Sequence, residues 1–285
     1  MRTLGLFCLS VALLCSAVAL VHITSVQQSI VAVAPRSYLG FDRNDYPGDD
    51  ALPILRKTFT FTSYWLSPPP GEKSSSWLGK RALLQAQGFG FLILFNGRET
   101  RSIKTSVEGK QKGQRDAKTA AELAQEEGFP HNSLIFLDIE EGGRLPAAYH
   151  EYLLAWQEAL ALREFRAAVY CSAMPVDEGH GATITSAQDI HAHMGKHALI
   201  YWVYNDACPP SPGCTFPQTV PAPPASGFAA AQIWQYAQSP RRKEFTASCP
   251  KNYAPDGNCY SPGDSKERWF LDLNVSSTPD PSAAR

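Results

Sequence analysis

The stretch SLIFLDIEEGG, residues 133–143, joins an apolar run to three acidic side chains without a turn between them. Its first half, Ser133 to Leu137, predicts a buried strand. Burial of a carboxylate is unfavourable by several kcal/mol unless something compensates it. The sequence therefore predicts either that this strand reaches solvent after Leu137 or that Asp138, Glu140 and Glu141 take part in chemistry.

Alternation of side chains along a strand separates these acids into two groups. Asp138 and Glu140 share parity and are expected on one face at the carboxyl end of the strand, whereas Glu141 has opposite parity and is expected in solvent. Other predicted strands also end in, or carry, polar side chains: Asp42 on the first, Asp206 on the sixth, and Asp272 and Asn274 on the last. Several acids are thus expected at one rim of the fold.

Eight short apolar runs predict strands, at residues 38–42, 59–66, 88–95, 133–140, 166–172, 198–206, 229–236 and 269–274. Most are continuous rather than alternating, which is typical of parallel strands covered on both faces. Helix-like segments lie between several of them, at 74–87, 115–128, 145–165 and 185–197. The order predicts an α/β protein with a single (β/α)8 TIM-like barrel. The barrel is expected to be irregular after its seventh strand, since a polar loop replaces the helix there.

A doubly wound open sheet is the competing architecture. It is disfavoured because no glycine-rich phosphate loop follows a predicted strand. The near-neutral charge, formally −1 with a pI near 6.7, argues against nucleic acid as a partner. We expect a monomer.

Residues 1–34 are predicted to be a leader. Arg2 precedes a long apolar run, and small residues allow cleavage after Ala19 or Ala34, as in a secretory signal peptide. An uncleaved signal anchor is the alternative, because the run is almost long enough to span a bilayer. A secreted or periplasmic protein without stable membrane association is therefore expected once the signal is removed.

The barrel is expected over residues 35–275, and the polar segment 276–285 is expected to be a disordered tail.

Four cysteines flank two short loops: Cys208 and Cys214 in one pair, Cys249 and Cys259 in the other. In an exported protein this spacing predicts two local disulfides. A zinc site is the alternative, but the C-x2-C spacing is missing. The apolar surroundings of Cys171 predict a buried thiol.

The converging acids Asp42, Asp138 and Glu140 suit glycosidic cleavage. That reaction needs one protonated carboxyl for the leaving oxygen and one anion as base or cation stabiliser. Repulsion between the carboxylates can raise the pKa of one of them and keep it protonated near neutrality. The same acids could instead bind Mg²⁺ or Ca²⁺, but no coordination motif is present, and we expect neither a metal nor a cofactor.

Aromatic residues are concentrated near the predicted strand ends: Tyr64, Trp65, Trp202, Tyr204, Trp234 and Tyr236. Their flat apolar faces beside polar groups suit sugar rings, although core packing is the alternative for each of them. His191, His193 and His197 do not share a helix face and are expected at the surface.

Four motifs, in this order, resemble a known family: Gly40-Phe41-Asp42, the D-A-x-x-A-A of residues 116–121, the phrase from Gly128 to Glu140, and Trp234-Gln235-Tyr236. They are similar to glycoside hydrolase-like domains once described as a domain of unknown function (family 1906). Those domains are relatives of the family-25 glycoside hydrolases, the muramidase-type lysozymes. The resemblance covers roughly residues 38 to 275.

The resemblance implies a TIM-like barrel in which Glu140 matches the general acid, Asp138 its companion carboxylate and Asp42 the first-strand acid. The lysozyme pattern has an Asp on the sixth strand, where this sequence has Asn205, with Asp206 beside it. The implied function is cleavage or binding of an N-acetylated cell-wall polysaccharide such as peptidoglycan. A non-catalytic carbohydrate-binding barrel is the alternative. The residues expected to contact the polysaccharide are Tyr64, Trp65, Asn205, Asp206, Trp234, Tyr236 and Asp272.

Overall fold

Eight strands close into one barrel whose wall contains the apolar runs of the sequence. The computed structural model describes residues 36–195, 197, 199–206, 219–238 and 270–285. The barrel strands are β1 (Tyr38–Asp42), β2 (Phe61–Trp65), β3 (Gly90–Asn96), β4 (Leu134–Asp138), β5 (Arg166–Ser172), β8 (Ile200–Tyr204), β9 (Ala231–Ala237) and β10 (Asp272–Ser276). Around the barrel their order is β1-β10-β9-β8-β5-β4-β3-β2. The predicted α/β barrel is confirmed.

Helices cover the outside of this barrel. They are α1 (Leu52–Leu55), α2 (Arg81–Ala86), α3 (Ser106–Glu126), α4 (Ala147–Ala161) and α5 (Ser186–Met194), with short 3-10 turns at Asp49–Ala51, Thr100–Ser102 and Pro223–Ser226. A hairpin of β6 (Val176–Gly179) and β7 (Ala182–Ile184) precedes α5. The sequence did not predict this hairpin, because its strands are exposed and lack an apolar face. Among the described residues, no helix is both long and apolar enough to cross a bilayer.

The last barrel strand runs against the others. The other seven barrel strands pair in parallel around the wall, whereas β10 is antiparallel to both β9 and β1. Parallel neighbours need a crossover connection, and the sequence between β9 and β10 has no helical pattern to supply one. β10 therefore starts at the rim where β1 ends, with Asp42 opposite Asp272. The irregularity predicted after the seventh strand is therefore the reversed direction of β10.

The two faces of β4 are both buried, but against different neighbours. Phe136 shares the parity of Asp138 and lies on the lumen side, where its ring is 5.8 Å from that of Trp202. Ile135 and Leu137 have opposite parity and are fully buried on the helix side. Because both faces pack, the strand reads as a continuous apolar run rather than an alternating one.

Helix α3 begins at Ser106, well before the segment predicted at 115–128. Its first turns were not predicted because they contain two glycines, Gly109 and Gly113. A Cβ on Gly109 would lie 2.1 Å from the carbonyl oxygen of Ala148, and one on Gly113 would lie 2.3 Å from that of Tyr152. Glycine disfavours a helix by about 1 kcal/mol in isolation. Here its missing side chain lets α3 pack directly on the backbone of α4, a tertiary contact that local propensity does not report.

The segment 276–285, predicted to be disordered, is ordered against the amino-terminal end of the barrel. A carboxylate oxygen of Asp280 accepts the backbone N–H of Phe91 at 2.9 Å. Ser282 is fully buried, and its carbonyl oxygen accepts the N–H of Leu134 at 2.8 Å. The prediction of disorder was wrong because the polar groups of this segment do not face solvent. They accept backbone N–H groups at the start of β3 and β4.

We expect Asp280→Ala to lower the free energy of unfolding by about 3 kcal/mol. The carboxylate accepts three backbone N–H groups, those of Phe91, Ala284 and Arg285, and removal leaves them without an acceptor. Urea unfolding followed by circular dichroism measures the change. Asp50→Ala, at an exposed turn, is the matched control. Equal stability of the two variants would show that the segment contributes nothing to the fold.

Candidate active site

A cleft of about 480 Å³ opens at the carboxyl ends of the parallel strands, the end where barrel enzymes carry their active sites. Its walls are contributed by strands β1 to β5, β8, β9 and β10 and by the loops that follow them. The lining residues are Asp42, Asn44, Trp65, Pro70, Leu94, Asp138, Glu140, Tyr170, Trp202, Gln235, Gln238 and Asp272. Four carboxylates therefore face one open space.

The carboxylate of Asp42 is the centre of a buried hydrogen-bond network. Its Oδ1 accepts from Nδ2 of Asn274 at 2.6 Å and from Nε2 of Gln235 at 2.9 Å. The indole Nε1 of Trp202 donates to Oδ1 of Asn274 at 2.9 Å, and the hydroxyl of Tyr170 donates to Oε1 of Gln235 at 2.7 Å. Because each amide oxygen already accepts a hydrogen bond, each amide turns its NH₂ group toward Asp42.

Burial raises the pKa of both aspartates. The pKa of Asp42 rises from its ordinary 3.8 to about 6, because burial outweighs the lowering effect of the bonds from Asn274 and Gln235, and the charge of Glu140 adds to the rise. The pKa of Asp138 lies well above its usual range, through burial first and then the charges of Glu140 and Asp42. One oxygen of Asp138, Oδ2, is buried without a hydrogen-bond partner among the described residues. The cluster therefore retains protons close to neutral pH.

Glu140 lies past the end of β4 and is exposed, whereas Asp42 and Asp138 are 8% and 4% exposed. Ile139, between Asp138 and Glu140, is held to β5, since its N–H donates to the carbonyl oxygen of Tyr170 at 3.0 Å. Of Asp42, Asp138 and Glu140, Glu140 is therefore the one whose side chain a bulky ligand can reach.

A second hollow of about 420 Å³ adjoins the cleft on the side of β3. Its lining residues are Pro70, Gly71, Asn96, Gly97, Arg98, Glu99, Asp138, Glu140 and Glu141. The cleft and the second hollow share Pro70, Asp138 and Glu140, so the acids lie where the two spaces meet. Glu141, expected in solvent, is half-buried, and its carboxylate accepts the N–H of Thr100 at 2.5 Å. Together the two spaces give room for an elongated ligand on both sides of the acids.

Five of the residues predicted for the site line the cleft: Asp42, Trp65, Asp138, Glu140 and Asp272. Three predicted aromatics lie outside it, on the opposite face of their strands: Tyr64, Trp234 and Tyr236. Tyr64 donates to the carboxylate of Glu127, and Trp234 donates through Nε1 to the carbonyl oxygen of Asn205 at 2.9 Å. Neighbouring positions on a strand point to opposite faces, so Trp65 and Gln235 face the lumen instead, and the placement of these three aromatics does not support their expected role.

The two polar residues after the sixth barrel strand do not line the cleft either. Nδ2 of Asn205 donates to the carbonyl oxygen of Ser226 at 2.7 Å, and Asp206 is buried. Asn205 therefore ties the carboxyl end of β8 to the turn before β9. Their expected role as polysaccharide contacts is not supported by this placement.

Tyr170 and Gln235 line the cleft but were not predicted as site residues. Strand register would have revealed both, because Tyr170 lies opposite Asp138 across β4 and β5, and Gln235 lies opposite Asn274 across β9 and β10. Register is a tertiary property that spacing along one chain does not contain.

Some predictions fall on residues outside the described ranges. The leader at 1–34, with cleavage after Ala19 or Ala34, is one of them, and the disulfides of Cys208, Cys214, Cys249 and Cys259 are the others. Within the described ranges, Cys171 is a buried free thiol whose pKa burial raises, as its apolar surroundings predicted.

The alternative that Asp42, Asp138 and Glu140 bind a metal finds no support in the geometry. Among the described residues, the group of three or more ligating side chains with donor atoms within 4.8 Å of one another lies elsewhere, between α4 and α5.

A closed α/β barrel with a carboxylate cluster at its carboxyl rim is the architecture that the resemblance implied. Residues 75–208 match the family model described as Rv2525c-like, glycoside hydrolase-like domain. The resemblance drawn from the sequence is thereby confirmed. None of the curated proteins gives a significant match.

Three solved structures are similar to this chain. An uncharacterized B. stearothermophilus protein is 21% identical, with a TM-score of 0.55, over 84% of this chain and 95% of that one. The modular autolysin LytC from Streptococcus pneumoniae, in complex with a synthetic peptidoglycan ligand, is 12% identical over 84% of this chain and 46% of that one, with a TM-score of 0.50. The Tat-secreted Rv2525c of Mycobacterium tuberculosis is 15% identical over 85% and 95%, with a TM-score of 0.49. At these identities the similarity to the first two structures shows the fold alone.

We expect Asp42→Asn to stabilise the protein at neutral pH. A carboxyl whose folded-state pKa is about 6 and whose ordinary pKa is 3.8 binds more protons in the folded than in the unfolded chain between those values. The free energy of unfolding of the wild type therefore falls as the pH rises from about 4 to about 6. Asparagine keeps the Oδ1 that accepts from Asn274 and Gln235 but has no charge.

The variant should exceed the wild type by up to about 3 kcal/mol at pH 7, and the difference should vanish below about pH 4. Urea unfolding at a series of pH values measures it. Asp50→Asn, at an exposed turn, serves as the control. Parallel pH profiles for wild type and Asp42→Asn would show that Asp42 does not titrate with a raised pKa.

Proposed function

We propose that this protein cleaves a glycosidic bond in an N-acetylated cell-wall polysaccharide such as peptidoglycan, with Glu140 as the general acid. The observation that carries the proposal is the meeting of Asp42, Asp138 and Glu140 in one open cleft, at the junction with the second hollow. A polymer that occupied both spaces would place a linkage beside the three carboxyls. That is the arrangement glycoside hydrolysis requires.

The three acids would take different roles because their environments differ. Glu140 is exposed and can approach the linkage, so its proton passes to the leaving oxygen as the carbon–oxygen bond breaks. Asp138 and Asp42 are buried beside it and stabilise positive charge on the sugar ring. Water then adds to the sugar carbon, keeps one proton as the new hydroxyl group and gives the other to Glu140, which restores the acid. Because the pKa values of Asp42 and Asp138 are raised, this stabilisation is gained as the two carboxyls lose their protons with rising pH.

The substrate class is supported by the walls of the cleft. Trp65, Tyr170 and Trp202 supply aromatic surface, while Asn44 and Gln238 supply amide groups. Rings beside amides suit the alternating apolar faces and hydroxyl or acetamido groups of a sugar chain. The glycoside hydrolase-like family match and the peptidoglycan ligand of the pneumococcal autolysin point to the same class.

Export is part of the proposal because cell-wall polysaccharide lies outside the cytoplasmic membrane. The signal-like leader at 1–34 supports it, and the two cysteine pairs suit an oxidising compartment.

We expect Glu140→Gln to lower kcat by at least about 100-fold, because the amide cannot donate a proton to the leaving oxygen. Release of reducing ends from purified peptidoglycan measures the rate, and co-sedimentation with insoluble peptidoglycan measures binding, which should persist. Glu126→Gln, at an exposed position of α3, is the control. Full activity in Glu140→Gln would overturn the assignment of the acid.

We expect Trp65→Phe to weaken binding of soluble peptidoglycan fragments by about 2- to 10-fold, through loss of aromatic contact in the cleft. Trp234→Phe is a closely matched control. Both indoles are almost fully buried, and each donates through Nε1 to a backbone carbonyl oxygen, that of Arg43 at 3.2 Å or that of Asn205 at 2.9 Å. Only Trp65 lines the cleft. Equal losses of affinity in the two variants would mean that the cleft wall is not the binding surface.

A non-catalytic polysaccharide-binding barrel is the second candidate. The observation in its favour is Asn205, which stands near the position of the sixth-strand acid and is turned toward Ser226 rather than toward the cleft. This candidate predicts that the wild type sediments with peptidoglycan but releases no reducing ends. Trp65→Phe would then weaken binding while Glu140→Gln changed nothing measurable.

A further inference from the structure

Three metal-ligating side chains meet between α4 and α5, outside the cleft. His150 comes from α4, while Asp189 and His193 lie one turn apart on α5 and share a face. Their ligand atoms all lie within 4.8 Å of one another. We propose that His150, Asp189 and His193 form a binding site for a divalent transition metal of the Zn²⁺ type.

The carboxylate of Asp189 is the strongest indication. Its side chain is fully buried, and its Oδ2 accepts the N–H of Leu145 at 3.0 Å and lies 2.8 Å from Nε2 of His150. The other oxygen, Oδ1, is buried and has no hydrogen-bond partner among the described residues. A buried anion with an unsatisfied oxygen is unfavourable, and a bound cation would satisfy it.

The distances suit a tetrahedral ion after small shifts. Ligand atoms that lie about 2.0–2.1 Å from zinc are about 3.3 Å from one another in a tetrahedral site. Nδ1 of His193 is 3.4 Å from Oδ1 of Asp189, and Nε2 of His150 is 2.8 Å from Oδ2. The two imidazole rings stack at 15° with centroids 3.6 Å apart, so one ring has to rotate before both nitrogen lone pairs point at one ion.

The donor set selects the kind of metal. Two imidazoles and one carboxylate suit Zn²⁺ and its neighbours in the first transition row, whereas Mg²⁺ and Ca²⁺ prefer oxygen ligands alone. The side chain of His193 is 44% exposed, which leaves room for water as a fourth ligand. Its Nδ1 lies 2.9 Å from the carbonyl oxygen of Asp189, so metal binding would replace that contact and release any proton that Nδ1 carries.

One nearby cation competes with a metal. The guanidinium of Arg144 lies 3.5 Å from Oδ1 of Asp189. Its main partner is Glu178, which accepts two bonds from it at 2.7 and 2.8 Å, and its side chain is 55% exposed. Arg144 can therefore remain with Glu178 while an ion occupies the space beside Asp189.

The bound metal would clamp α4 to α5 and, through Leu145, the loop that follows β4. This loop carries Glu140, but the site would lie outside the cleft and take no part in cleavage. Metal binding can therefore be measured without measuring the proposed hydrolysis.

The test is titration of the full chain, first stripped of metal with a chelator, with Co²⁺ as the probe. Visible absorption reports tetrahedral Co²⁺, and competition with Zn²⁺ gives the affinity. The wild type should bind one equivalent more than His193→Gln or His150→Gln. Loss of a direct ligand should lower the affinity by more than the roughly 10- to 100-fold that loss of an outer-shell partner produces.

His131→Gln is the control, because His131 is an exposed histidine that pairs with Glu164, beyond the carboxyl end of α4, whereas His150 lies near the start of that helix. It should bind metal as the wild type does. The difference between variants is the readout, since cysteines elsewhere in the chain can also bind Co²⁺. Circular dichroism of the metal-free forms shows whether each variant is folded.

The proposal is overturned if the folded wild type, His150→Gln and His193→Gln bind the same number of ions with the same affinity. It is equally overturned if the wild type binds none, in which case the cluster is a hydrogen-bonded histidine–aspartate network alone. A zinc-dependent rise of the thermal midpoint in the wild type and the control, absent from both ligand variants, supports it further.

Discussion

The hydrogen bonds that two amides donate to the carboxylate of Asp42 are the contact on which the site depends. Asp42 ends β1, Gln235 lies on β9 and Asn274 lies on β10, so one carboxylate oxygen joins the three strands where the barrel changes from parallel to antiparallel pairing. The hydrogen bonds that join these three strands therefore also fix the position of the Asp42 carboxylate in the cleft. Tyr170 and Trp202 hold the two amides in the orientation that these hydrogen bonds require.

The same burial that organises the cleft works against stability. Asp42 and Asp138 are nearly inaccessible, and desolvation raises the pKa of both because the charged forms lose their hydration. Perturbed carboxyls of this kind are typical of functional sites. Contacts elsewhere in the barrel offset this loss of stability. Helix α3 packs on α4 through its glycines, and the segment 276–285 accepts backbone N–H groups at the opposite end of the barrel.

Alternation within one strand was enough to pair Asp138 with Glu140, because both residues belong to a single uninterrupted run. The same rule failed for Tyr64, Trp234 and Tyr236. Alternation groups residues by face, but it does not say which face meets the lumen unless one member of the set is already assigned. Trp65 and Gln235, which have the opposite parity to Tyr64 and Trp234, line the cleft. Strand register, a tertiary property, determines which of the two faces meets the lumen.

The sequence by itself determined the barrel class, the order of its strands along the chain and the acids after β4, since these follow from local runs and short-range spacing. The tertiary structure alone decided the direction of β10 and the early start of α3. It also decided that residues 276–285 are ordered and that His150 contacts Asp189. Each of these rests on contacts between residues far apart in the chain. Such contacts outweigh local propensity because burial and backbone hydrogen bonding contribute more free energy than the preference of any single residue.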